Sequence, residues 1–190
     1  RSVHAGWELA SAKEALGARL AEDRLAALRV DAFPRYFDFL DCIYRHDEHG
    51  SPLYDEDIFV PPHPADEKLV RKIAEVIAAN LRANDILVSP LTIGNHPDHV
   101  IVRRAAEQVG HPLCYYADIP YSIWYPEQLT EITENLEAET HLISKEELLI
   151  WQDGASAYVS QLAVLFGGEE RMKNALHLYW QKVQGIRLFE

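Results

Sequence analysis

The stretch from Asp85 to Ile119 constrains the fold more than any other. The apolar run Asp85-Ile-Leu-Val-Ser-Pro-Leu91 has the character of a short buried strand, and Gly94-Asn95-His96-Pro97-Asp98-His99 follows it directly. The spacing then predicts a helix from Pro97 to about Val109 and a second strand over Leu113–Ile119. Strand, turn, helix and strand in that order form a βαβ unit, which commits the chain to an α/β fold with a largely parallel sheet.

The flanking segments agree with that class. Leu69, Ile73, Val76, Ile77 and Leu81 recur at helical spacing and predict a helix over Asp66–Leu81. Ala15, Leu16, Leu20, Leu25 and Leu28 predict an earlier amphipathic helix from about Trp7 to Arg29, with a break near Gly17. Pro34–Leu40 is aromatic and strand-like, and His46–Pro64 reads as a long Asp-, Gly-, Pro- and His-rich loop of functional size. After Pro126 the pattern is helical through Trp180, interrupted around Thr140–Ile143. A length of 190 residues suits one domain.

Composition narrows the function. With 18 Lys+Arg against 30 Asp+Glu the net charge is -12, so the basic footprint of a nucleic-acid binder is missing. No apolar run approaches the ~20 residues that span a bilayer. Cys42 and Cys114 lie far apart and form no CxxC pair, which makes a reducing, cytoplasmic setting the default.

The chemistry concentrates at His96-Pro97-Asp98-His99. Asn95 has the character of an N-cap, and Pro97 suits the first helical position, where its missing N–H would be unpaired anyway. His96 and His99 then share one face of the first turn, and Asp98 is favoured there by the helix dipole and can hold an imidazole in one tautomer. Two imidazoles with carboxylates at a helix start suit a divalent, zinc-type ion. Asp41, His96, His99 and Asp118 all fall at or just past strand ends, where open sheets place their sites. In His63-Pro64-Ala65-Asp66, by contrast, Asp66 reads as a helix N-cap and His63 as a loop residue.

Three ordered blocks resemble the PIG-L (LmbE-like) family of zinc-dependent N-deacetylases. Leu87–Tyr121, with His-Pro-Asp-His and Tyr115-Tyr116-Ala117-Asp118-Ile119-Pro120-Tyr121, resembles the family's second block. Arg19-Leu20-Ala21-Glu22-Asp23, followed by Phe39-Leu40-Asp41-Cys42-Ile43-Tyr44-Arg45, is similar to its R-x-x-E…D block. Tyr158-Val159-Ser160-Gln161, Phe166-Gly167 and Arg187-Leu188-Phe189-Glu190 look like its C-terminal signature. The resemblance implies a Rossmann-like open, mostly parallel sheet flanked by helices, and removal of an acetyl or other acyl group from the amino group of an N-acetylglucosamine-type small molecule or glycoconjugate. It implies Zn2+ as cofactor, His99 as metal ligand, His96 as oxyanion stabiliser with Asp98 as its orienting partner, and Arg19 and Asp41 as substrate-holding residues.

Two departures accompany the likeness. Gly94 stands where some members carry tyrosine. The family's first block, a strand ending in His-Pro-Asp-Asp that supplies two zinc ligands and the general base, is expected before residue 1, together with the first strand. Two other readings compete: a non-catalytic carbohydrate- or partner-binding relative, and an unrelated metal-dependent phosphoesterase, which would call for further acidic ligands and a cationic phosphate clamp. A homo-oligomer is compatible with all of them.

Overall fold

The structure, a computed structural model, describes residues 12–55 and 57–190. Its elements in chain order are α1 (Ala12–Arg29), α2 (Glu67–Asn80), β1 (Leu87–Pro90), α3 (Pro97–Val109), β2 (Leu113–Tyr116), α4 (Tyr121–Trp124), α5 (Pro126–Ile132), β3 (Ala138–Leu142), α6 (Lys145–Ser156), α7 (Val159–Leu165), α8 (Glu169–Val183) and β4 (Gly185–Phe189). The chain divides into two compact units. One holds Phe39–Glu139 and Arg187–Glu190; the other holds the residues from α1 to Asp38 and Thr140–Ile186.

The first unit is built on the expected βαβ. β1 pairs in parallel with β2, in register from Leu87↔Leu113 to Pro90↔Tyr116. The crossover α3 buries Pro97, Ile101 and Ala105, a spacing of four that puts them on one face, and ends at Gly110 in the left-handed conformation. That face packs on Val70, Ile73 and Ile77 of α2. A second cluster of Leu91, Ile93, Ala117, Tyr121 and Phe189 lies where β1 and β2 release the chain. Full burial of each large aliphatic side chain here stabilises by about 1.5–3 kcal/mol. The β1–α3 turn therefore stands on packed apolar side chains.

The sheet order is β1-β2-β4-β3. Only β1 and β2 are parallel among the pairs whose register is defined. β4 runs antiparallel to β2 (Tyr115↔Phe189, Tyr116↔Leu188), and Glu137 and Glu190 exchange both backbone hydrogen bonds at 3.1 and 2.9 Å, the antiparallel signature. The expectation of a mostly parallel sheet is corrected accordingly. The closing segment returns as a strand without a helical crossover, and an antiparallel neighbour needs none.

Local expectations fared unevenly. α2 and α3 lie where predicted. α1 runs unbroken through Gly17, which is exposed and has open space beside it; the expected start at Trp7 lies outside the described residues. Pro34–Leu40 forms no strand: Tyr36, Phe37 and Leu40 are exposed, and nothing there pairs its backbone into a ladder among the described residues. The interruption near Thr140 is β3. The long loop is pinned at its start by a His46↔Pro52 bridge and by Asp47, whose carboxylate accepts from the amides of His49 and Ser51.

In the second unit α1 packs on α6 and α7. Ser144 and Glu147 form a capping box at the start of α6, and the Glu22 carboxylate accepts from both the amide and the hydroxyl of Ser160 at 2.7 Å. Among the described residues no helix is long and apolar enough to cross a membrane.

Candidate metal-binding and catalytic site

The site grows out of the turn between β1 and α3. After Leu91 the backbone passes through left-handed conformations at Thr92 (φ 67), Gly94 (φ 85) and Asn95 (φ 58). A β-branched residue at positive φ is strained, and such strain persists only where the surroundings over-determine it. Here they do: the Asn95 amide donates to the Thr92 carbonyl (3.0 Å), the Gly94 amide to Gln128 Oε1 (3.0 Å), and the Ile93 amide to Asp118 Oδ2 (3.2 Å). A Cβ on Gly94 would meet the Tyr121 ring at 3.3 Å, which accounts for glycine at this position.

The N-cap of α3 is His96, not Asn95. His96 Nδ1 accepts from the Asp98 amide at 3.3 Å, while Asn95 is spent on the left-handed turn, which Asn tolerates better than most residues. Because Nδ1 is an acceptor, the neutral ring carries its proton on Nε2. Burial and the neighbouring His99 push the His96 pKa below its ordinary 6.5, against the opposing pull of Asp98 and Asp41. His96 is thus a neutral Nε2–H donor near neutral pH.

His99 has the opposite tautomer. Its Nδ1 lies 2.6 Å from Asp118 Oδ1, and Asp118 is 2% exposed. A carboxylate only accepts, so Nδ1 donates and the Nε2 lone pair is left for a ligand. This carboxylate–histidine arrangement is the one that orients metal-binding imidazoles, and it fits a zinc-type ion at His99. The two rings stand 5.1 Å apart, centroid to centroid, with Phe59 edge-on to His96 and Tyr121 edge-on to His99.

Asp98 meets His96 through its main-chain amide, which donates to Nδ1, while its carboxylate, within 4.8 Å of a nitrogen of that ring, is bonded elsewhere. Oδ1 pairs with Arg45 Nη1 at 2.6 Å and Oδ2 accepts from the Cys42 amide at 3.0 Å. Asp66 likewise makes no cap with its side chain. It is buried, paired with Arg45 at 3.2 Å and bonded by the Tyr54 hydroxyl at 2.7 Å, and the capping of the Pro64 turn falls to His63. Burial and Asp66 push the Tyr54 pKa up to about 12, so it stays a donor.

Cys42, His96 and Asp98 bring ligand atoms within 4.8 Å of one another. A cation there would have to displace the thiol proton and the guanidinium that now holds Asp98. Burial, Asp98 and Asp41 drive the Cys42 thiol well above its ordinary pKa, and the Asp98 carboxylate is already neutralised by a buried guanidinium. His99 is the better-prepared ligand.

Asp41 caps the Cys42–Tyr44 turn through the Ile43 amide and is itself exposed beside Cys42. The structure therefore brings Asp41, His96, Asp98 and His99 into one unit, while Arg19 lies on α1 in the other. Sequence reasoning missed Cys42, Arg45, Asp66 and the pairing of Asp118. Cys42, Arg45 and Asp118 all lie in the motif segments, but which carboxylate meets which cation depends on tertiary structure.

No family model matches the chain, and no curated protein matches it. Among solved structures it is similar to the zinc-inhibited form of teicoplanin deacetylase Orf2, with a TM-score of 0.81 and 24% identity over 98% of this chain and 77% of that one. It is also similar to a deacetylase–bog complex from the teicoplanin biosynthesis pathway (TM-score 0.80, 24% identity, 98% of this chain and 77% of that one). A triple mutant, Orf2*T, aligns at a TM-score of 0.68 and 21% identity over 93% and 70%. The chain has the fold of these deacetylases.

Proposed function

We propose that the chain is a zinc-dependent N-deacetylase acting on an N-acetylated amino sugar or related glycoconjugate. The observation that carries this reading is the pair of oppositely set histidines on one helical turn, His99 with its Nε2 lone pair left for a metal and His96 with its proton on Nε2, 3.9 Å from Cys42 Sγ. The deacetylase fold and the ordered motif resemblance support it.

When bound, zinc supplies Lewis acidity toward an amide carbonyl and acidifies water. The chain's own residues do the rest. His99 offers Nε2 under the control of Asp118. His96 donates from Nε2 to the oxygen that becomes negative as the amide carbon turns tetrahedral; one such donor is worth roughly 3–4 kcal/mol of barrier. A neutral donor suffices, because its strength comes from being held in place. Asp41 presents an exposed carboxylate suited to accept hydrogen bonds from the hydroxyls of the sugar. On this reading the remaining zinc ligands and the general base are those of a His-Pro-Asp-Asp block. A cytoplasmic location goes with the same reading.

The test is zinc content and acetate release from an N-acetylglucosamine-type substrate, for the protein and for His99→Ala. Zinc and acetate release that both depend on His99 support the assignment. Zinc-independent or His99-independent release overturns it, and sugar binding without any release points to a carbohydrate-binding module.

A further inference from the structure

We propose that Arg45 is the positioning residue of this site, the side chain that locks the Asp41–Tyr44 turn onto the His96–His99 turn. One guanidinium joins two carboxylates from different segments: Nη1 to Asp98 Oδ1 at 2.6 Å and Nη2 to Asp66 Oδ2 at 3.2 Å. Nη1 also donates to the Leu40 carbonyl at 3.2 Å, so the same group grips the segment just before Asp41. Asp98 closes the circuit by accepting from the Cys42 amide. Tyr54 completes it from the far side, donating to Asp66 and accepting from the His63 amide, each at 2.7 Å.

Arg45 and Asp66 are almost wholly buried, at 8% and 6% side-chain exposure. A buried ion pair contributes little net stability against an apolar replacement of the same shape, because both charges lose their water. What it does well is fix register, and the fork geometry of arginine lets one cation address two carboxylates at once. The element fixed here carries Asp41 and buries Cys42 completely, with Cys42 Sγ only 3.9 Å from His96 Nε2. Arg45 touches neither His99 nor the face where His96 donates; it acts through Asp98 and the turn.

The experiment compares Arg45→Lys with the unaltered protein by mass-spectrometric alkylation of Cys42, with Cys114 as internal control. Lysine keeps the charge but cannot bridge both carboxylates, so the turn should open locally. Cys42 should then alkylate about tenfold faster or more, the factor associated with one charge-assisted hydrogen bond, while Cys114 keeps its rate. Equal acceleration at both thiols means a general loss of stability and overturns the proposal, as does an unchanged Cys42. Should Arg45→Lys fail to fold, Asp66→Asn is read by the same ratio, with the same two outcomes against it. The kinetic consequence rests on the deacetylase reading: a displaced Asp41 raises KM for the amino sugar as well as lowering kcat, whereas a merely unstable variant lowers kcat alone. An unaltered protein that releases no acetate sinks the deacetylase reading and leaves the alkylation result standing.

Discussion

His99 Nδ1 and Asp118 Oδ1 stand 2.6 Å apart, one at the start of α3 and the other just past the end of β2. The bond ties the two strand exits together and leaves Asp118 Oδ2 for the Ile93 amide, so a single buried carboxylate sets both the turn and the ring.

This arrangement fixes a tautomer that nitrogen-resolved NMR can read. In the neutral ring of His99 the proton should reside on Nδ1. Asp118→Asn, which substitutes a neutral acceptor of roughly half the strength, should let the Nε2–H form rise and cut zinc affinity by ~10–100-fold. A predominantly Nε2–H ring in the unaltered protein would contradict the assignment of His99 as a prepared ligand.

His96 makes stability depend on pH with a definite sign. Its folded pKa lies below the ordinary 6.5, chiefly through burial, so below about pH 6.5 the unfolded chain binds the extra proton more readily. Stability from this group is complete above about 6.5 and falls as pH drops through that value. His96→Asn retains a capping oxygen without a titrating ring. The urea midpoint of the unaltered protein should therefore fall more steeply between pH 7.5 and 5.5 than that of the variant, and parallel curves would show that His96 carries no such penalty.

The parts of the fold legible in the sequence are those written in local pattern. Leu69, Ile73 and Ile77 declare one face of α2, although that stripe omits the fully buried Val70, and the apolar run before His96 declares a strand, though Val88 is exposed on it. The turn stood out as a candidate site because two histidines flank Pro97 and Asp98 directly after a strand. The antiparallel return of β4 was not legible, since Arg187 interrupts its apolar pattern and its partner β2 is distant in sequence. Nor were the carboxylate assignments. Asp66 has every local mark of a helix cap, and only the arrival of Arg45 and Tyr54 turns it inward. Pro34–Leu40 erred the other way: its aromatics resemble a strand, but an aromatic run becomes one only where a ladder partner is present.

Gly185 offers a test of the second unit. A Cβ there would overlap the backbone carbonyl of His141, and a carbonyl held in place by the main chain cannot swing aside as a side chain could. Gly185→Ala should destabilise by about 1–3 kcal/mol or more despite alanine's lower conformational entropy when unfolded. An unchanged denaturant midpoint would mean that β3 and β4 do not approach as closely as described.

If the proposed function holds, the two histidines and Asp98 should fail in three distinct ways in the zinc-loaded, active protein. His99→Ala removes a metal ligand, so zinc and activity should go together. His96→Ala leaves His99 and Asp118 untouched; zinc should stay, and kcat should fall by ~100–1,000-fold with little change in KM. Asp98→Asn keeps the main-chain amide that holds His96, so the oxyanion donor survives. Its damage lies instead at Arg45 and the Cys42 amide, which lose their charged partner and loosen the turn bearing Asp41. Asp98→Asn should therefore raise KM for the amino sugar, unlike His96→Ala, and should alkylate faster at Cys42. Zinc analysis, steady-state kinetics and thiol labelling on the three variants separate these patterns. If Asp98→Asn instead reproduces the pure kcat defect of His96→Ala, its carboxylate serves the imidazole after all and the role drawn from its contacts with Arg45 and Cys42 is wrong.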